Sequence, residues 1–204
     1  MRKLIAICAV VLFVCLSSQL MGAYIEFRSD AISGYGMLQG SDWAGELKGY
    51  VTGVPGIPDG TMITTFCAEL VEKIGYGTFN IAAVNTQVIT GGVGPLGEPL
   101  NPETAWLYAQ YLSGAQLVSS NSDGVNMQNA FWALQNDIPA PAAGTNPYYD
   151  AAVASGATDL GSIRVLNLTT SDGTLAQDVL IPEPATICLL GLGALSLLRN
   201  RRFR

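Results

Sequence analysis

Apolar and polar residues change their spacing several times along the chain, and each change predicts a different element. The stretch MRKLIAICAVVLFVCLSSQLMGA opens with Arg2 and Lys3 and then runs apolar from Leu4 to Leu16, thirteen residues. A buried amphipathic helix would show a polar face, and the run is short for a membrane span. Its layout is that of a signal peptide ending near Ala23. From Tyr24 to Val54, short apolar or alternating runs broken by glycine (YIEF, GYGMLQG, WAGELKGYVTGV) predict strands. PGIPDG is turn chemistry. TMITTFCAEL is rich in Thr, Ile and Phe and predicts another strand. YGTFNIAAVNTQVI predicts one or two more, and TGGVGPLGEPL a loop.

The period then becomes helical. Asn101 stands as an N-cap, Pro102 at the first helical position, Glu103 in the first turn and Gly114 as the stop. Between them Ala105, Leu107, Tyr108, Tyr111 and Leu112 form an apolar stripe. A second helix is predicted in DGVNMQNAFWALQND, with Met127, Ala130, Phe131 and Leu134 on one face, and YYDAAVASGA predicts a short third. SIRVLNLTT and AQDVLI alternate and read as closing strands. The expected fold is α+β: a β-rich single domain with two or three inserted helices, flanked by an N-terminal signal helix and a C-terminal hydrophobic helix. The boundaries are 1–23 for the signal peptide, 24–179 for the exported domain and 180–204 for the terminal segment.

Charge sharpens this division. The formal net charge of −6 over 204 residues hides a segregation. Six of the ten basic residues (Arg2, Lys3, Arg199, Arg201, Arg202 and Arg204) lie in the end segments. All sixteen acidic residues fall between Glu26 and Glu183, where only Arg28, Lys48, Lys73 and Arg164 oppose them, a net of −12. Such a domain repels nucleic acid, which is excluded as a partner. The chain has no histidine. Ser-His-Asp and Cys-His catalysis and His-ligated zinc are therefore unavailable. No cofactor or metal is expected, and the protein is expected not to be an enzyme.

Cysteine usage points to one residue. Cys8, Cys15 and Cys188 sit in the apolar ends, so the exported domain keeps Cys67 alone. A lone thiol in an oxidising compartment is either buried and inert or chemically used. Around it stands Phe66-Cys67-Ala68-Glu69, and sixty residues on stands Met127-Gln128-Asn129-Ala130-Phe131-Trp132. In order and spacing these two motifs, with the helix AWLYAQYLSG between them, resemble the thioester domains of bacterial surface adhesins. Glu69 departs from the Asp or Asn of that pattern. The resemblance implies an internal thioester between Cys67 and Gln128, surrounded by Phe66, Glu69, Ala130, Phe131 and Trp132. It also implies covalent capture of a nucleophile-bearing surface or matrix partner. The alternative is a buried, inert Cys67 in ordinary core.

Other constellations are thinner. Glu69 and Glu72 would share a face only if their segment were helical. Asp42, Asp59 and Asp123 sit in loop-like text without calcium-ligand spacing. Asn167-Leu168-Thr169 matches an N-glycosylation acceptor.

The chain ends on IPEPATICLLGLGALSLLRNRRFR. Ala185 to Leu198 is fourteen residues, a helix of about 21 Å at 1.5 Å per residue, short of a roughly 30 Å bilayer core. Leu180 and Ile181 would lengthen it, but Pro182 and Pro184 interrupt a continuous helix. The basic end places the domain outside by the positive-inside rule. Pro182-Glu183-Pro184, the apolar run and Arg199, Arg201 and Arg202 resemble the PEP-CTERM sorting signal of Gram-negative bacteria. That resemblance implies transient insertion of the C-terminal helix in the inner membrane and processing by an exosortase-type membrane protease, after signal peptidase has acted at the other end. It also implies export linked to exopolysaccharide and a final place at the cell surface or in the extracellular matrix. The expected function is a sorted surface or matrix protein that attaches covalently through Cys67 and Gln128. The alternative is a non-covalent structural or interaction protein of the exopolysaccharide matrix.

Overall fold

The computed structural model describes residues 22–28, 34–39, 42–89 and 97–183. The expected signal helix and C-terminal hydrophobic helix lie outside them. Among the described residues the chain forms ten strands and three helices. The strands are β1 (Tyr24–Phe27), β2 (Gly36–Gln39), β3 (Asp42–Gly45), β4 (Leu47–Thr52), β5 (Thr61–Thr65), β6 (Gly77–Asn85), β7 (Gln87–Val88), β8 (Glu98–Pro99), β9 (Ile163–Thr169) and β10 (Leu175–Pro182). The helices are α1 (Pro102–Leu112), α2 (Asn121–Leu134) and α3 (Pro147–Ser155), inserted between β8 and β9. This is the expected β-rich α+β arrangement.

Six strands form one antiparallel sheet in the order β10-β9-β6-β1-β4-β5. The sheet curls until its two edges meet. Beyond β5 the chain continues through Phe66–Ala68, and Cys67 pairs with Val179 of β10 in an antiparallel bridge. The Ala68 N–H donates to the Asp178 carbonyl at 2.8 Å, and the Leu180 N–H to the Phe66 carbonyl at 3.1 Å. The Thr65 hydroxyl donates to the Leu180 carbonyl at 2.5 Å. Edge joining of this kind satisfies main-chain groups that an open sheet leaves bare.

Alternation along the strands splits the core in two. Ile25, Phe27, Leu47, Val51, Phe79, Ile81, Leu166, Leu168, Val179 and Ile181 pack on the concave side together with Cys67. Ile163, Val165, Leu180, Phe66 and Ala68 face the other way and pack against Leu107, Tyr108, Met127, Ala130, Phe131 and Leu134 of the helices. Helix α2 serves both clusters. Val125 and Trp132 belong to the first, and Met127, Ala130, Phe131 and Leu134 to the second. Gln128 lies between Val125 and Trp132 at the i+3 and i+4 spacings that align side chains on one ridge.

The helix ends follow the sequence closely. Asn101 caps α1 through its side-chain oxygen, which accepts from the Glu103 N–H at 2.8 Å. Ser120 caps α2, and Asn146 caps α3. Gly124, in the first turn of α2, has a packing reason: a Cβ there would lie 1.8 Å from the Tyr35 carbonyl oxygen. Of the expected stripe on α1, Ala105, Leu107 and Tyr108 are buried while Leu112 is exposed.

One strand boundary differs from expectation. TMITTFCAEL was expected as one strand, but β5 stops at Thr65. Its partner β4 begins at Leu47, opposite Thr65, and Gly45 with φ of 142° turns the preceding chain away. At the C-terminal side Leu180 and Ile181 carried two expectations, the end of the strand AQDVLI and a lengthening of the terminal helix, and the strand is what forms. β10 continues through Leu180, Ile181 and Pro182, paired with Val165, Arg164 and Ile163. Leu180 and Ile181 are fully buried. They belong to the sheet, not to an extension of the terminal helix.

Candidate functional site around Cys67 and Gln128

Past Leu47, where β4 begins opposite Thr65, the main chain of Cys67 has no strand neighbour on that side. Gln128 of α2 takes that place. The Cys67 N–H donates to Gln128 Oε1 at 3.0 Å, and Gln128 Nε2 donates to the Cys67 carbonyl at 2.8 Å. The side-chain amide thus continues the ladder as a single peptide group of a missing strand. Both residues are buried, Cys67 at 1 % and Gln128 at 0 % exposure. Cys67 is in no disulfide.

The surroundings fix this pair. Phe66 packs on Phe131 with ring centroids 5.1 Å apart and edge-on to Tyr111 at 5.1 Å. The Trp132 indole N–H donates to the Glu69 carbonyl at 2.9 Å, and Gln177 Nε2 donates to the same oxygen. The Glu69 carboxylate accepts from the N–H groups of Val71, Glu72 and Asp178. Glu69 therefore lies in a turn and bridges that turn to β10. Ala130 is buried in the helix-side core, against which Phe66 packs.

Electrostatics keeps the thiol neutral. Burial, and next the nearby Glu69, raise Cys67 well above the usual thiol range. Burial, and next the charge of Glu72, raise Glu69 to about 9, against the pull of the Glu72 and Val71 N–H groups. A neutral buried thiol is a weak nucleophile, and it sits beside a neutral amide whose oxygen and nitrogen are both hydrogen-bonded.

Sequence reasoning missed Asp178 and Gln177. Asp178, 2 % exposed, accepts from Leu168 N–H at 3.0 Å, Asn167 Nδ2 at 2.7 Å and Ile89 N–H at 2.8 Å. Burial raises it to about 6 despite these donors. Two adjacent polar residues inside the apolar run AQDVLI were the available signal. A register shift between Ala176 and Val179 lets both side chains turn inward. Asn167 is fully buried, and its Nδ2 is engaged with Gln87 and Asp178, so the NLT match lies in the core. Among the candidate calcium carboxylates, Asp59 accepts from the Gly53 N–H at 2.8 Å, and Asp123 is tied to Ser119 and Ser120 at the start of α2.

The C-terminal motif is visible at its start. Pro182 ends β10, and the Glu183 N–H donates to the Ser162 carbonyl. The Glu183 carboxylate pairs with the Arg164 guanidinium at 2.9 Å. Pro184, Arg199, Arg201 and Arg202 lie outside the described residues.

One family model matches the chain: the PEP-CTERM protein-sorting motif, over residues 180–202. No curated protein and no solved structure matches. The chain thus carries a PEP-CTERM sorting motif, which marks an exported protein sorted and processed by exosortase at the membrane.

Proposed function

We propose that the exported domain forms an internal thioester between Cys67 and Gln128 and uses it to attach covalently to a surface or matrix partner. The Cys67 sulfur attacks Gln128 Cδ, the C–N bond breaks, and the thiol proton leaves with the amide nitrogen as ammonia. A partner amine or hydroxyl then attacks the same carbon, forms an amide or ester with the Gln128 acyl group, and returns Cys67 to the thiol. The domain is consumed in that step, so it does not turn over.

The observation that carries this reading is the two-point hydrogen bonding of the Gln128 amide to the Cys67 main chain inside a closed core. It holds the amide carbon beside the residue that bears the sulfur. Positioning of this kind supplies about 7–11 kcal/mol of a barrier in favourable cases. The Cys67 N–H points at Oε1, where negative charge develops during attack. Phe66, Phe131 and Trp132 exclude the water that would hydrolyse the product. The intact mass of the domain tests the proposal. A thioester lowers the mass by one ammonia, and Cys67→Ala restores it. A mass equal to the sequence mass refutes it.

A second reading has its own observation. The Gln128 amide completes the ladder that β4 leaves open, a structural role sufficient in itself. The protein is then a non-covalent interaction module of the surface or matrix, with Cys67 as packing. On either reading we place the mature domain outside the cell, after removal of residues 1–23 by signal peptidase, and without nucleic-acid partners.

A further inference from the structure

The sorting motif and the folded domain overlap. The matched segment begins at Leu180, yet Leu180, Ile181 and Pro182 are the end of β10. Leu180 is fully buried in the helix-side core, and Ile181 is fully buried on the concave side. The Leu180 main chain carries two of the bonds that close the sheet, its N–H to Phe66 and its carbonyl from the Thr65 hydroxyl. Pro182 pairs with Ile163.

Glu183 is held as well. Its N–H donates to Ser162, and its carboxylate meets Arg164. Arg164 is itself fixed, with Nη1 donating to the carbonyls of Gly161 at 3.0 Å and Ile163 at 2.7 Å. Arg164 is one of only four basic residues between Tyr24 and Glu183. Its pairing with Glu183 clasps the end of the strand to its neighbour.

We propose that the proteolytic cut in the sorting segment falls on the C-terminal side of Glu183, so that the mature protein keeps the whole of β10 and ends on the Arg164–Glu183 clasp or beyond. A protease cleaves an extended backbone that it can surround. Residues 180–182 have their backbone in the sheet, and 180 and 181 have their side chains in the core. A cut among them would remove apolar side chains from both clusters and reopen the edge beside Cys67. The inference rests on the motif being processed.

The test uses the full chain, produced in a Gram-negative cell that contains an exosortase-type protease. Mature protein is recovered, denatured and digested with trypsin. No Lys or Arg stands between Val165 and Arg199. The fragment beginning at Val165 therefore carries the new C-terminus, and tandem mass spectrometry reads its last residue. The expected fragment ends at Glu183 or later, before Arg199. A fragment ending at Pro182 or earlier overturns the inference. A fragment that runs to Arg199 overturns the sorting reading itself, so the two failures are distinguishable.

Discussion

Replacing Cys67 by alanine separates a covalent bond from a hydrogen-bonded contact, because the two carry different stabilities. A thioester would cross-link two residues 61 apart in sequence. By the chain-entropy relation used for disulfides, a closed loop of that length stabilises the fold by about 4 kcal/mol. For a domain of this size each kcal/mol moves the melting temperature by about 2–4 °C, so Cys67→Ala is expected to lower it by about 8–16 °C. Without the bond, the same change removes one sulfur from a packed core and costs about 1 kcal/mol. A double-mutant cycle with Gln128→Ala sharpens the contrast. In the covalent case either substitution breaks the same cross-link, and the pair shows a coupling of about 4 kcal/mol in chemical denaturation. In the hydrogen-bonded case Gln128→Ala strands the Cys67 N–H and carbonyl, costing about 2–6 kcal/mol by itself, and adds to the sulfur loss. A coupling under about 1 kcal/mol together with an unchanged intact mass refutes the thioester.

Four further outcomes are expected. Stability should fall as pH rises: Glu69 and Asp178 have folded pKa values raised above their unfolded values, so their contribution is full below about pH 4 and is lost as pH climbs toward about 9. Urea midpoints measured from pH 4 to 9 check this, and Glu69→Gln should flatten the upper part of the slope. Trp132→Phe removes the indole donor to the Glu69 carbonyl and is expected to cost about 1–2 kcal/mol, read as a shift in urea midpoint at constant slope. Asn101→Ala loses the α1 cap and the side-chain bond to the Leu134 carbonyl; a loss of about 1–3 kcal/mol is expected from calorimetry. A stop codon after Val179 removes the buried Leu180 and Ile181, about 3–6 kcal/mol of apolar burial. That chain should fail to accumulate, while one ending at Glu183 accumulates as a folded domain.

Much of the fold was legible because local signals agreed. Asn101-Pro102-Glu103 announced α1 to the residue, and YIEF, SIRVLNLTT and AQDVLI marked β1, β9 and β10 by alternation. The end of β5 was not legible, since Phe66, Cys67 and Ala68 read as strand. What stops the ladder is a turn at Gly45 and Glu46, on another part of the chain. The pairing of Cys67 with Gln128 was suggested by motif spacing. Its form, an amide standing in for a strand, depends on tertiary placement that no local pattern encodes. Asp178 was missed because a polar residue in a closing strand reads as solvent-facing unless the register shift before Val179 is known. The overlap of β10 with the sorting motif stood in the sequence as one of two readings of the same residues. Leu180 and Ile181 suit a sheet and an apolar helix equally, and only burial decides between them.

Closure of the sheet also sets a timetable. Thr65 and Leu180, which meet at the seam, are 115 residues apart. A chain exported from its N-terminal end delivers Cys67 well before the strand that covers it. Until β10 arrives, the thiol stands uncovered, with no cysteine of its own domain to pair with. The last strand to be exported is the one that shelters the sulfur.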